Sequence, residues 1–224
     1  YGNKPVYIQS FGQIPVISVR AEPLENLLNR AIKRCFDIVF SVFIIVFVFS
    51  WLFPILAILI KLESRGPVFF TQERSGHNNN PFKCYKFRSM YVNGDADKRQ
   101  ATRNDSRVTK IGGFMRRTSL DELPQFFNVL IGNMSVVGPR PHMLNHTEEY
   151  SELIDMFMVR HFLKPGITGQ AQVKGFRGET KTVEDMNQRV EADLWYLENW
   201  SFLLDLKIVV KTVTNMFGKD EMAF

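Results

Sequence analysis

From Ile38 to Ile60 the chain reads IVFSVFIIVFVFSWLFPILAILI, twenty-three residues without one charged side chain. A helix needs about 20 predominantly apolar residues to match a hydrocarbon core. Apolar on every side, it would have no solvated face to offer in a water-soluble domain. The run lies too deep in the sequence for a signal peptide, and no small-residue cleavage site follows it. A membrane helix is therefore expected. Arg30, Lys33 and Arg34 precede it and Lys61 and Arg65 follow, so basic residues on both flanks leave its orientation unassigned. Pro54 removes a backbone donor and bends a helix, and Ser50, one turn earlier, can satisfy a freed carbonyl. Two arrangements stay open from these residues: a kinked span, and a helix that enters, breaks at Ser50–Pro54 and returns to the same face.

The 224 residues divide into three parts around this feature. Residues 1–22 hold two short strand-like stretches, Val6–Ile8 and Ile14–Val19, and read as the tail of a preceding domain or a linker. Residues 23–62 begin with an amphipathic helix, Glu22–Arg34, expected to run along the membrane surface into the apolar helix. Residues 63–224 carry two strands, Val68–Thr71 and Phe82–Phe87, around a polar Gly76–Pro81 turn, and then mainly helices. Helices are expected over Lys110–Arg117, Leu120–Ile131, His146–Phe162 and 184–217, the last interrupted near Asn199–Ser201. Asp95–Arg107, charged and without an apolar period, reads as a mobile loop. The fold class is α+β, mostly helical, with one short β hairpin. In the final stretch Trp195, Tyr196, Trp200 and Phe202 favour a water–lipid boundary, with Asp205, Lys207 and Lys211 as the polar partners.

A net charge of +5 with both signs interspersed suits anionic partners without selecting one. Cys35 and Cys84 form no CxxC pair and are expected to be inert packing residues. His77, His142, His146 and His161 show no metal-ligand spacing. Neither a Walker loop nor a GxGxxG is present, so a diphosphate would have to be gripped by side chains and a metal ion. The chemistry concentrates in Thr118-Ser119-Leu120-Asp121-Glu122-Leu123-Pro124-Gln125, after Arg116-Arg117. Ser119 and Glu122 match a capping box. An aspartate beside arginines stays ionised at neutral pH, the state in which it can attack phosphorus. Arg74, Arg88, Arg116 and Arg140 stand near turns, where a fork of N–H donors can meet phosphate oxygens.

The strings Lys-Phe-Arg-Ser-Met (86–90), Thr-Ser-Leu-Asp-Glu-Leu-Pro-Gln (118–125), Val-Gly-Pro-Arg-Pro (137–141) and Lys-Pro-Gly-Ile-Thr-Gly-Gln-Ala-Gln (164–172) resemble the bacterial sugar transferase family. Lys33-Arg34, Gly66-Pro67-Val68-Phe69-Phe70 and Trp200–Lys207 extend the resemblance over roughly residues 30–215. It implies a monotopic phosphoglycosyl transferase on the cytoplasmic face of the bacterial inner membrane, with a re-entrant helix and interfacial helices around residues 63–224. It implies that Asp121 attacks the β-phosphorus of a UDP-sugar, releasing UMP, and that undecaprenyl phosphate then takes the sugar-phosphate. Glu122 would help to hold Mg²⁺. Arg116 and Arg140 would bind phosphates, Pro139 and Pro141 would shape the nucleotide pocket, and Lys86 and Arg88 would support the phosphates. The product would initiate capsule, exopolysaccharide or O-antigen synthesis, and longer members often form homodimers. No nucleic-acid partner is expected. Two departures stand out: this chain has Ser50-Trp51 and then Pro54 where the family breaks its helix at Ser-Pro, and Arg65 where proline is usual. A membrane-anchored nucleotide-diphosphate-sugar hydrolase and a catalytically silent scaffold are the competing readings.

Overall fold

The computed structural model describes residues 7–11, 14–18, 22–92, 94, 102, 105–154, 156–176, 178 and 182–217. Strands β1 (Tyr7–Phe11) and β2 (Ile14–Ser18) pair antiparallel, with Phe11 opposite Ile14. A 3-10 turn at Pro23–Glu25 leads to Asn26, whose side chain caps helix α1 (Leu27–Ile44) by accepting from the Leu28 N–H. The expected surface helix thus begins about one turn late. It then continues into the apolar run without interruption.

A π-helical segment, Ile45–Phe49, joins α1 to α2 (Ser50–Glu63), so one helix extends from Leu27 to Glu63. It is long and apolar enough to cross a membrane. The helix does not stop at Pro54. Its departure from α-helical bonding lies upstream, where the wider π turn leaves carbonyls short of donors. The Ser50 hydroxyl donates to Val46 O at 2.6 Å and the Trp51 indole to Phe47 O at 2.8 Å. Ser50 therefore supports the π turn, not the carbonyl that Pro54 leaves free.

Both ends of this helix hold the same body. Near its start, Arg34 donates to the Val129 and Leu130 carbonyls, and the Asp37 carboxylate accepts from Ser135 Oγ and the Val136 N–H. At its far end, Glu63 accepts the Lys110 and Ile111 N–H groups, and Arg88 donates to the Ser64 and Arg65 carbonyls. Between them Phe49 and Phe53 stack with Phe69 and Phe87. The opposite face, including Val39, Phe43, Phe47, Trp51, Ile58 and Leu62, is exposed. Cys35 lies exposed on α1 and so is not the packing residue expected, whereas Cys84 is buried.

The hairpin is β3 (Phe69–Ser75) against β4 (Pro81–Phe87), antiparallel, with Phe69 opposite Phe87. The mobile-loop expectation for Asp95–Arg107 falls mostly outside the described residues. Helix α3 (Lys110–Arg117) is capped by the Thr109 hydroxyl, which accepts the Gly112 N–H. A Cβ at Gly112 would stand 1.9 Å from Ser89 O, so glycine lets α3 press onto the chain leaving β4. A 3-10 turn at Leu120–Glu122 precedes α4 (Gln125–Ile131), and β5 (Ser135–Val137) follows.

Helix α5 (Leu144–Leu153) and a 3-10 stretch, Phe157–Phe162, replace the single helix expected over 146–162. Strand β6 (Gly166–Thr168) pairs parallel with β5, and the short α6 (Gln170–Val173) follows. Helices α7 (Val183–Glu198) and α8 (Phe202–Phe217) are separated at 199–201, as the sequence predicts. The main core joins Phe126, Val129, Val136 and Val137 to Tyr196, Leu197, Trp200 and Ile208. Asp205 is not a surface partner of α8: it is fully buried, bound to Lys33, Tyr196 and the Trp200 indole. On α8, Leu203, Val210 and Val213 face outward. Among the described residues the fold is mostly helical, with one long apolar helix and three two-stranded sheets.

Candidate active site

Three pieces of chain converge beside the apolar helix. Strand β4 supplies Lys86, the 3-10 turn after α3 supplies Asp121 and Glu122, and the turn leaving β5 supplies Arg140. Ser119 sets the turn: it sits at φ 55°, in the left-handed region that costs a non-glycine residue energy, and its side chain makes no capping bond. The capping box suggested by Ser119 and Glu122 is not formed. Glu122 instead faces inward, where Oε1 accepts from Lys86 Nζ at 2.8 Å and from Arg140 Nη2 at 2.7 Å. Arg140 Nη1 reaches Oε2 at 3.3 Å, completing a fork. These cations hold the Glu122 carboxyl far below the usual range, overcoming its burial.

Asp121 differs from its neighbour. It is 7% exposed, yet among the described residues its carboxylate accepts no hydrogen bond. Burial raises its pKa to about 6, with Glu122 adding to the rise and Lys86, Arg116 and Arg140 opposing it. At neutral pH the group is still mostly ionised. A carboxylate that is charged, largely desolvated and uncommitted to hydrogen bonds is a good nucleophile.

Arg116 is fixed by a bond from Nε to Ser89 Oγ at 2.9 Å, and burial lowers its pKa while Asp121 opposes that. Behind Arg140, Arg160 and Asp193 form an ion pair at 2.6 Å, at 2% and 1% side-chain exposure. Arg189 is also buried, and among the described residues its Nε has no hydrogen-bond partner. Desolvation, then Arg140 and Arg160, bring its pKa down to about 10. Among the described residues the cations Lys86, Arg116, Arg140, Arg160 and Arg189 thus gather around the carboxylates Asp121, Glu122 and Asp193, a setting that favours an anionic ligand.

Of the residues singled out in the sequence, Lys86, Arg116, Asp121, Glu122 and Arg140 come together. Arg88 stands apart, its guanidinium turned onto the carbonyls that end α2. Pro139 is buried, its carbonyl accepting the Gly166 N–H, and Pro141 is half-buried. A Cβ at Gly166 would meet Gly138 N at 2.1 Å, so this crossing of the two turns requires glycine. Sequence reasoning passed over Ser89, Arg160, Arg189 and Asp193. The last two had a signal: they occupy the buried stripe of α7 with Met186, Val190 and Leu197, where a surface helix would be apolar. Among the described residues no group of three metal-type side chains gathers. Glu122 still fits the donor set of Mg²⁺, which takes one or two carboxylates and fills its shell with water and substrate phosphates.

The family model described as bacterial sugar transferase matches residues 28–219. The chain belongs to the bacterial sugar transferase family. This sugar transferase is 52% identical over 205 residues to the UDP-glucose:undecaprenyl-phosphate glucose-1-phosphate transferase of Klebsiella pneumoniae, covering 91% of this chain and 44% of that protein. The protein of the same name from Escherichia coli (strain K12) is 50% identical over 211 residues, covering 94% and 45%. The UDP-N-acetylgalactosamine-undecaprenyl-phosphate N-acetylgalactosaminephosphotransferase of Aeromonas hydrophila is 45% identical over 207 residues, covering 90% and 48%. The transferase chain spans about half the length of these curated relatives.

Proposed function

We propose that this chain transfers a sugar 1-phosphate from a UDP-sugar to undecaprenyl phosphate through a phospho-sugar ester on Asp121. The carrying observation is the place of that residue: buried, accepting no hydrogen bond from the described residues, and ringed by the cations Lys86, Arg116 and Arg140. In the first step an Asp121 oxygen attacks the β-phosphorus. The bond from that phosphorus to the bridging oxygen breaks, and UMP leaves with the electron pair. In the second, an oxygen of undecaprenyl phosphate attacks the same phosphorus and displaces the aspartate. Arg140 and Lys86, steadied by Glu122, face the charge that develops on the phosphoryl oxygens, and Arg116 offers a third cation. Mg²⁺, held by Glu122 with substrate oxygens, would neutralise the diphosphate.

The membrane placement rests on a separate argument. The uncharged run Ile38–Ile60 would be about 35 Å long as a straight helix, enough to cross a hydrocarbon core of about 30 Å, so length does not decide the arrangement. Both ends of the long helix bind the same globular body, and its exposed apolar face runs between them. A shallow, re-entrant helix on the cytoplasmic face of the inner membrane satisfies both facts and brings the acceptor's headgroup beside Asp121. The outward Leu203, Val210 and Val213 of α8 extend that apolar surface. The pathway is initiation of capsule, exopolysaccharide or lipopolysaccharide synthesis. Relatives named for glucose and for N-acetylgalactosamine both match, so the sugar is left to experiment.

The test offers a panel of UDP-sugars with undecaprenyl phosphate and Mg²⁺ in nanodiscs, and follows UMP and the lipid product together. The transferase reading expects UMP and lipid-linked sugar phosphate in equal amounts. UMP with sugar phosphate free in buffer would identify a hydrolase, and no UMP from any donor would defeat the enzymatic reading.

A further inference from the structure

Arg160 lies away from Asp121, yet it braces the turn that carries Arg140. Its Nη2 donates to the Arg140 carbonyl at 3.0 Å and pairs with Asp193 Oδ2 at 2.6 Å. Its Nη1 lies 3.2 Å from His142 Nδ1. One guanidinium therefore touches residues 140 and 142 on either side of Pro141, and its Cζ lies 5.5 Å from the centroid of the Phe157 ring. Asp193 is anchored on α7 in the stripe with Met186 and Val190. Arg140 in turn places its fork on Glu122, next to Asp121.

We propose that Arg160 and Asp193 are positioning residues: they fix the backbone at Arg140 so that its guanidinium is presented to Glu122 and to the donor's phosphates. This deepens the transferase reading and rests on it. The geometry favours positioning over a general packing role because the guanidinium is shared between the Arg140 backbone and the ring of His142, and one ammonium could not keep both. An Arg140 free to swing would still bind a diphosphate, but the phosphoryl group would be held less well in flight. Small misplacements of such a group can cost about 100-fold in rate.

The experiment compares Arg160→Lys, Asp193→Asn and Asp193→Glu in the full chain in nanodiscs. Arg160→Lys and Asp193→Asn are expected to lower kcat by about 10- to 100-fold with donor KM within about threefold, the pattern of an interaction made mainly in the transition state. Asp193→Glu, which restores the counter-charge, is expected to recover much of the loss. In a double-mutant cycle Arg140→Lys/Arg160→Lys should be no slower than Arg140→Lys alone, since residues acting through one another are not additive. Val190→Ala, in the same core beside Asp193, serves as a matched destabilising control and should lower Tm without this kinetic split. If Arg160→Lys does not fold, His142→Ala removes the second brace and is read in the same way.

A readout independent of turnover uses ¹⁵N-labelled arginine. The fork on Glu122 should give Arg140 slowly rotating, resolved Nη signals, assigned by their loss in Arg140→Lys and averaged in Arg160→Lys. Signals unchanged in Arg160→Lys, effects that multiply in the cycle, or equal activity loss in Val190→Ala would each overturn the positioning role. If the unmodified protein releases no UMP from any donor, the transferase reading fails, and the Nη signals alone then decide whether Arg160 orders Arg140.

Discussion

At the scale of single residues, the pair Asp121-Glu122 shows how neighbours in sequence take different parts. Glu122 is locked by Lys86 and Arg140, while Asp121 keeps its oxygens uncommitted. Asp121→Asn retains the shape and removes the nucleophilic charge, so UMP release should fall by at least about 1,000-fold and no phospho-sugar adduct should form on the protein, as mass spectrometry would check. A pH prediction follows with its sign. The active form is the carboxylate, and burial raises its pKa to about 6, so turnover should climb with pH through about 6 and level off above it. Below that limb kcat/KM, which reports the free enzyme, should drop about tenfold per pH unit, as a kcat/KM profile from about pH 4 to 8 would reveal. Lys86, Asp121, Glu122 and Arg140 were legible in the sequence because each sits in a short local string. Arg88 was not. Its place beside a turn suggests a phosphate contact, but only the folded chain shows its guanidinium held by the Ser64 and Arg65 carbonyls.

At the scale of elements, the stacked rings of Phe49, Phe53, Phe69 and Phe87 join the apolar helix to the hairpin that carries Lys86. Phe87→Ala should cost about 3–5 kcal/mol of stability, read as a lower thermal midpoint in detergent, with activity falling as the hairpin loosens. The re-entrant arrangement has its own test. In a background with Cys35→Ser and Cys84→Ala, since Cys35 is itself exposed, Asn26→Cys and Ser64→Cys, introduced one at a time, should label equally from the cytoplasmic side of inverted vesicles and remain dark from the other. Opposite labelling would establish a span. The sequence showed the hairpin, α3 and the break between α7 and α8 because alternation and turn residues there are strong. It ran a single helix through 146–162, where α-helical and 3-10 geometry differ too little over one turn for periodicity to separate them. It places the helix's irregularity at Ser50–Pro54, where proline's missing N–H is visible, whereas the π turn lies just upstream at Ile45–Phe49 and ends on Ser50.

At the scale of the whole molecule, long-range pairs decide what local pattern could not. Lys33 lies in α1, yet its ammonium binds Asp205 at 2.8 Å, the Tyr196 hydroxyl at 3.0 Å and the Val137 carbonyl at 2.9 Å. Read in sequence, Lys33 was a membrane-flanking charge and Asp205 a polar residue on an interfacial helix; only the folded chain shows that they complete one buried network. Lys33→Met would leave Asp205 buried without its cation, at a cost of about 3–5 kcal/mol, seen as a lower unfolding midpoint than in Asp205→Asn/Lys33→Met.

Strand β5 is only three residues long, and the apolar helix holds all of it: Asp37 binds Ser135 and Val136, and Lys33 binds Val137. That helix is therefore part of the scaffold behind Arg140 and cannot be treated as a detachable anchor. Trimming the gene to begin at residue 64, the usual route to a convenient water-soluble reagent, would discard the wall against which the catalytic turn is built, so crystallisation and inhibitor screening will have to start from protein kept in lipid.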